Sequence, residues 1–168
     1  MSKKLPYEFY NRHVVEVAKD LLGKKLVFGG IEGIITETEA YRGFDDEASH
    51  AFKGPTTRSK IMFGRAGYTY VYMIYGMYYC LNVTAEEVGE AAAVLIRGLK
   101  LPELHQLDGP GKLCKYLQIT KLQNGIDLTN SSQMCIEEEV TVSQYNTTPR
   151  IGIKKAVDKP WRFYYPVL

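Results

Sequence analysis

Apolar residues recur at helical spacing over residues 8–22. Val14, Val15, Val17, Ala18, Leu21 and Leu22 form one stripe, and Gly23 stands where a helix C-terminal cap belongs. The pattern then shifts to that of strands. Lys25–Phe28 reads as a strand, Gly29-Gly30 as a turn, and residues 34–41 as the next strand. In that strand a period of two puts Ile35, Glu37, Glu39 and Tyr41 on one face, and Ile34, Thr36, Thr38 and Ala40 on the other. Residues 42–67 lose the period and are rich in Gly, Asp, Lys and Arg, the pattern of a long irregular loop. Long loops on a compact domain tend to carry function. Alternation resumes over residues 68–79 as two strands joined by a tight turn near Tyr75-Gly76. A strand over 91–99 follows. Asp108-Gly-Pro-Gly-Lys112 then opens a helix through about Leu117, with Asp108 as its cap and Pro110 in its first turn. Pieces over 134–142, 150–154 and 162–165 read as further strands. Strands outnumber helices and most connections are short, which predicts a mixed α/β (α+β) fold. The expectation is a single domain over residues 1–168 with a largely antiparallel sheet, short helices and a protruding β-hairpin.

The hairpin carries six tyrosines within twelve residues: Tyr68, Tyr70, Tyr72, Tyr75, Tyr78 and Tyr79. Tyr68, Tyr70 and Tyr78 read as strand formers that pack across strands. Tyr75 precedes the turn glycine, so its ring is expected at an exposed tip, where a ring needs a partner. Tyr72 has the opposite parity and can face a pocket. Aromatic rings on a rigid hairpin suit nucleobases, because every base has a π-face to stack. Glu39 and Tyr41 share a strand face beside the long loop, where a carboxylate could activate water while the ring stacks on a base. Taken alone, these read better as an ordinary exposed polar strand face, since a strand-borne Glu is common, and Glu37 has the same parity, so periodicity does not choose between the two acids. His50, likewise alone, reads as a surface or hydrogen-bonded structural residue. The three histidines are not paired at ligand spacing, so no metal site is expected.

Composition narrows the classes further. The chain has 168 residues, 45% hydrophobic and 24% charged, ordinary for a folded domain with a substantial core. A net charge of +2 excludes a histone-like cation yet permits local basic faces. Lys53, Arg58, Lys60 and Arg65 form one such patch beside Asp45-Asp46-Glu47; Lys154, Lys155, Lys159 and Arg162 form another. Basic residues interleaved with aromatics suit nucleic acid. The three cysteines are odd in number and widely spaced, which argues for reduced thiols in an intracellular compartment rather than a disulfide framework. The first residues lack the apolar stretch of a secretory signal, and no run is long enough to span a bilayer, so a cytoplasmic location without a membrane partner is expected. Neither a glycine-rich dinucleotide motif nor a P-loop occurs, and no cofactor is expected.

Taken together, the segments resemble the alkyladenine-type 3-methyladenine DNA glycosylases. The resemblance is carried by Glu37-Thr-Glu-Ala-Tyr-Arg-Gly43, Ser49-His50-Ala51, Thr56 and Arg58 with Met62-Phe63, the run from Tyr70 to Asn82, Leu95-Ile-Arg97, Gly109-Pro-Gly-Lys-Leu113 and Pro160-Trp-Arg-Phe163. It implies a single α/β domain with a curved antiparallel sheet and a wedge hairpin projecting from it. It implies that Glu39 is the general base activating water and that Arg97 helps hold that water. Tyr41, His50 and Tyr72 would wall the pocket and stack on a flipped base. Asn82 would form the pocket floor and disfavour the amino group of guanine, Tyr75 would wedge into the duplex, and Thr56, Arg58 and Met62 would meet the DNA backbone. The implied partner is double-stranded DNA with a damaged purine such as 3-methyladenine, 7-methylguanine, hypoxanthine or ethenoadenine. The enzyme would act as a monomer and leave an abasic site without cutting the strand. The stretch between Leu99 and Gly109 is shorter and less basic than is usual in that family, which implies fewer backbone contacts to DNA and a weaker affinity rather than altered chemistry. Two other readings use the same residues. One is a non-catalytic nucleic-acid module of tRNA-binding type, against which Glu39 beside Tyr41 argues. The other is a nucleoside hydrolase, against which the wedge-like Tyr75 argues.

Overall fold

A computed structural model describes residues 3–166, apart from the side chain of residue 104; Met1, Ser2, Val167 and Leu168 lie outside the described residues. The helical stripe at the N-terminus is split in two. Helix α1 (Tyr7–Tyr10) ends at Asn11, and α2 (Val14–Leu21) starts anew with His13 as its cap, whose Nδ1 accepts from the Val15 amide at 3.2 Å. The expected single helix over 8–22 is therefore corrected: the capping histidine lets the chain turn and start a second helix. Val14, Val17, Ala18 and Leu21 of α2 are fully buried, and Val14, Val17 and Leu21 contribute about 1.5–3 kcal/mol each. Gly23 follows at φ +85°, and a Cβ there would meet Val140 at 2.8 Å, so the helix exit requires glycine.

Among the described residues nine strands form one sheet: β1 (Lys25–Phe28), β2 (Ile31–Tyr41), β3 (Thr69–Ile74), β4 (Tyr78–Ala85), β5 (Ala92–Lys100), β6 (Gln106–Asp108), β7 (Met134–Glu137), β8 (Asn146–Thr148) and β9 (Arg162–Tyr164). The order β3-β4-β5-β2-β1-β7 is antiparallel throughout, and the sheet curls into a half-barrel. Strand β6 extends β5, while β9 pairs with β2 and β8. Helix α3 (Pro110–Leu117) packs on β4 and β5 and buries Leu113, Cys114 and Leu117. Its N-cap is Gly109 with no side-chain bond, because Asp108 ends β6 and pairs with Lys112 at 2.8 Å instead of capping.

Three late segments differ from their sequence pattern. The strand over 134–142 stops at Glu137; beyond it Lys24 reaches out to the Val140 carbonyl and Glu138. Residues 150–154 form turns rather than a strand, fixed by the side chain of Arg150 and not by a ladder. Asn146–Thr148 pairs with β9, although its polar run gives no strand signal.

Strand β2 positions the site. Ile35 pairs with Leu99, Glu37 with Gly98 and Thr38 with Ile96, so a bulge lies between them. The bulge breaks the simple alternation: Ile35 joins Ala40 in the core, while Glu39 and Tyr41 turn toward a cavity on the other side. Thr38 faces inward and donates to the Ala18 carbonyl at 2.8 Å, tying β2 to α2.

Candidate active site

The β3–β4 hairpin closes through Tyr75 and Gly76, both at positive φ (52° and 67°), with the Met77 amide donating to the Ile74 carbonyl. Positive φ at both central positions is a twist-matched hairpin turn, which glycine accepts freely and tyrosine only under constraint. Tyr75 stands at its tip with 87% of its surface exposed. Below it, where β2, β4 and β5 meet the hairpin and the 150–153 turn, lies a cavity of about 370 Å³, within the roughly 300–1,000 Å³ range of small-ligand sites.

Glu39, Tyr41, His50, Tyr72, Tyr75, Asn82 and Arg97 all line this one cavity. Glu39 is 0% exposed. Its Oε1 accepts from the Tyr41 hydroxyl at 2.8 Å and its Oε2 from the Ile151 amide at 2.7 Å. Burial pushes its carboxyl above the ordinary range; the Arg97 guanidinium at 3.7 Å and those two hydrogen bonds oppose that push. Glu37 has a different environment. Its Oε2 accepts from Arg97 Nε at 3.1 Å and Arg162 Nε at 2.7 Å, and it does not line the cavity. The bulge and these two arginines separate two acids that periodicity leaves equivalent.

An aromatic wall comes from the hairpin and the long loop. His50 and Tyr72 meet edge to face with centroids 4.5 Å apart, and Tyr70 lies 5.3 Å from Tyr72. His50 Nδ1 and the Tyr70 hydroxyl are hydrogen-bonded at 2.9 Å. His50 still reaches solvent, but partial desolvation against this wall, with Arg58 nearby, lowers its pKa to about 4, so the ring is neutral at physiological pH. Tyr41 comes from β2, and the Arg150 guanidinium covers one face of its ring at 4.6 Å, leaving the other for the cavity. Asn82 is buried, and its Nδ2 donates to the Tyr70 carbonyl at 3.1 Å, which pins the amide in place.

The three residues expected at the DNA backbone separate. Thr56 and Arg58 are exposed; Arg58 donates to the Met73 carbonyl at 3.0 Å and its guanidinium lies over Tyr72 at 4.8 Å. The Met62 side chain is 2% exposed and lines the cavity, where it packs with Ala51, Tyr70 and Ala93 in a small apolar cluster rather than standing free at the surface with Thr56 and Arg58. The sequence reading passed over Cys80, Ile151 and Ile153, which also line the cavity, and the Asp46–Arg150 ion pair behind it. In sequence Asp46 reads as part of an acidic run with Asp45 and Glu47, because its partner lies 104 positions away. Among the described residues no three His, Cys, Asp or Glu side chains gather as metal ligands. No helix among them is long and apolar enough to cross a membrane.

Comparison with known proteins gives this arrangement a family. The sequence model for methylpurine-DNA glycosylase matches residues 8–167. A protein of Sodalis glossinidius named as a candidate 3-methyladenine DNA glycosylase is 55% identical over 161 residues, 95% of either chain. Relatives with the same name occur in Ehrlichia chaffeensis, 52% identical over 98% of this chain and 94% of theirs, and in Wolbachia pipientis wMel, 55% identical over 95% of this chain and 89% of theirs. A family match spanning nearly the whole sequence, over a cavity of buried carboxylate and aromatic rings, places this chain in the methylpurine-DNA glycosylase family.

Proposed function

We propose that this DNA glycosylase removes alkylated or deaminated purines, 3-methyladenine among them, from duplex DNA by turning the base out of the stack into the cavity. The observation that carries the reading is the buried Glu39 carboxylate in an aromatic-walled cavity beneath the exposed ring of Tyr75. Extruding a base costs a few kcal/mol, less for a damaged one. Tyr75 fills the gap in the duplex, and stacking on Tyr41, Tyr72 and His50 returns about 1–3 kcal/mol. The electron-rich ring faces favour a cationic alkylated purine, and a neutral His50 does not repel it.

Glu39 takes a proton from water as the water oxygen bonds to C1′ of the sugar. The glycosidic bond breaks and its electron pair passes to the purine, so a cationic N-alkylated base leaves neutral, while a neutral one such as hypoxanthine leaves as its anion and takes a proton from solvent. The carboxylate also sits where the oxocarbenium-like charge develops. General-base help of this kind is worth roughly 10²–10⁴-fold. Arg97 supports the ionised form of Glu39 and borders the water site. Asn82, held by the Tyr70 carbonyl, crowds the exocyclic amino group of guanine. No lysine lines the cavity among the described residues, which supports a monofunctional reaction that leaves an abasic site in an intact strand. Thr56 and Arg58 meet the backbone beside the hairpin. Residues 1–168 act as one glycosylase domain, a monomer working inside the cell on genomic DNA.

Incubation with labelled duplexes carrying hypoxanthine, ethenoadenine or methylated purines, followed by alkali, tests the reading. Strand breaks that appear only after alkali are expected. Breaks before alkali, or release from free nucleosides but not from duplex, would contradict it.

A further inference from the structure

We propose that Arg150 and Asp46, neither of which lines the cavity, position the Glu39 carboxylate by locking together the two segments that hold it. The inference rests on the glycosylase reading of the cavity. Both side chains are 0% exposed, and they pair in parallel: Nη1 to Oδ2 at 2.6 Å and Nη2 to Oδ1 at 2.8 Å. Asp46 also accepts from the amides of Arg42 and Ala48, so it fixes the start of the loop that carries His50. Arg150 reaches the other way. Nη1 donates to the Ala40 carbonyl at 2.9 Å, between Glu39 and Tyr41 on β2, and the guanidinium covers the Tyr41 ring. The next residue, Ile151, gives its amide to Glu39 Oε2. Each oxygen of Glu39 is thus held by a group whose place depends on Arg150: Ile151 through the chain, Tyr41 through ring contact and the Ala40 carbonyl.

This placement has a consequence for protonation. Glu39 is faced by Glu37 and Tyr41 on its own strand, Cys80 on β4, Arg97 on β5, Arg162 on β9 and the Ile151 amide. Loosening Arg150 weakens the Tyr41 and Ile151 bonds and leaves the charges in place. The upward push of burial then meets less opposition, so Glu39 ionises at higher pH.

The test uses Arg150→Lys and Asp46→Asn in the full chain. It measures single-turnover base release from a lesion duplex between pH 5 and 9, duplex affinity by fluorescence anisotropy, and melting temperature. Release at neutral pH is expected to slow by up to about 10²-fold, the order that misplacing a reacting group by about an ångström costs. Affinity should stay within about twofold, and in Arg150→Lys, the variant that keeps every charge, the acid limb should move up by about one pH unit. Wild-type rates and an unmoved acid limb in folded variants would overturn the proposal, as would affinity falling as far as the rate. Should Asp46→Asn fail to fold, Arg150→Lys, which keeps the charge and the buried stem, decides alone. Wild-type protein inactive on the duplex would sink the glycosylase reading instead, which keeps the two failures apart.

Discussion

Glu39 combines two demands that oppose each other: it is buried among protein groups, and its proposed work requires the charged form. Its carboxyl is raised by burial, so the rate of base release should fall with acid through a pKa above the ordinary carboxylate value, and Glu39→Gln should lack that limb. The same shift bears on stability. An acid whose pKa is higher in the fold than in the unfolded chain costs stability once pH exceeds its unfolded pKa, and the cost is complete above the folded one. Glu39→Gln is therefore expected to raise the melting temperature at neutral pH, a gain that disappears as pH drops below the ordinary carboxylate range. A thermal melt series from pH 4 to 8 checks this, and no gain at pH 7 would contradict the desolvation argument. At this scale the sequence was only half legible. Residue types and the strand face of Glu39 could be read, but the choice over Glu37 came only with the resemblance. Chemically, that choice depends on Arg97 and Arg162, which arrive from β5 and β9. The burial of Met62 and of Asp46 was hidden for the same reason, since their neighbours are remote in the chain.

Elements were legible where their signal is local. The hairpin, its turn glycine, β1 and the α2 stripe follow from period and turn chemistry. The turn at 150–153 does not, because a buried side chain rather than a ladder shapes it. Nor does the bulge in β2, which depends on Gly98. A Cβ at Gly98 would lie 2.5 Å from Thr36 Oγ1, so Gly98→Ala should force the bulge to shift and cost about 1–3 kcal/mol by denaturant unfolding. Base release should slow with it, because the bulge sets which face carries Glu39. The hairpin tip behaves differently. Tyr75 is exposed and packs on little, so Tyr75→Ala should leave the melting temperature within about 1 °C while weakening lesion-duplex binding by about 1–3 kcal/mol. Unchanged binding would remove the ring from its wedge role.

On the scale of the whole molecule, the net charge of +2 leaves little long-range attraction for DNA, so affinity must come from the face around the cavity. Arg58 beside the hairpin and the exposed Lys154 and Lys155 next to the 150–153 turn flank that face. Duplex affinity should fall as salt rises, with a slope set by a few phosphate contacts; a flat response in a salt titration would point to a small-molecule substrate. In the proposed reaction the antiparallel half-barrel, the core between α2 and the sheet, and the cavity beyond β2 together present the Glu39 carboxylate to a base held among rings. The most direct test compares wild type and Glu39→Gln in single-turnover base release from one lesion duplex, with binding measured in parallel. The expected result is release slowed by at least about 10²-fold at undiminished affinity. Release at the wild-type rate by Glu39→Gln would contradict the account.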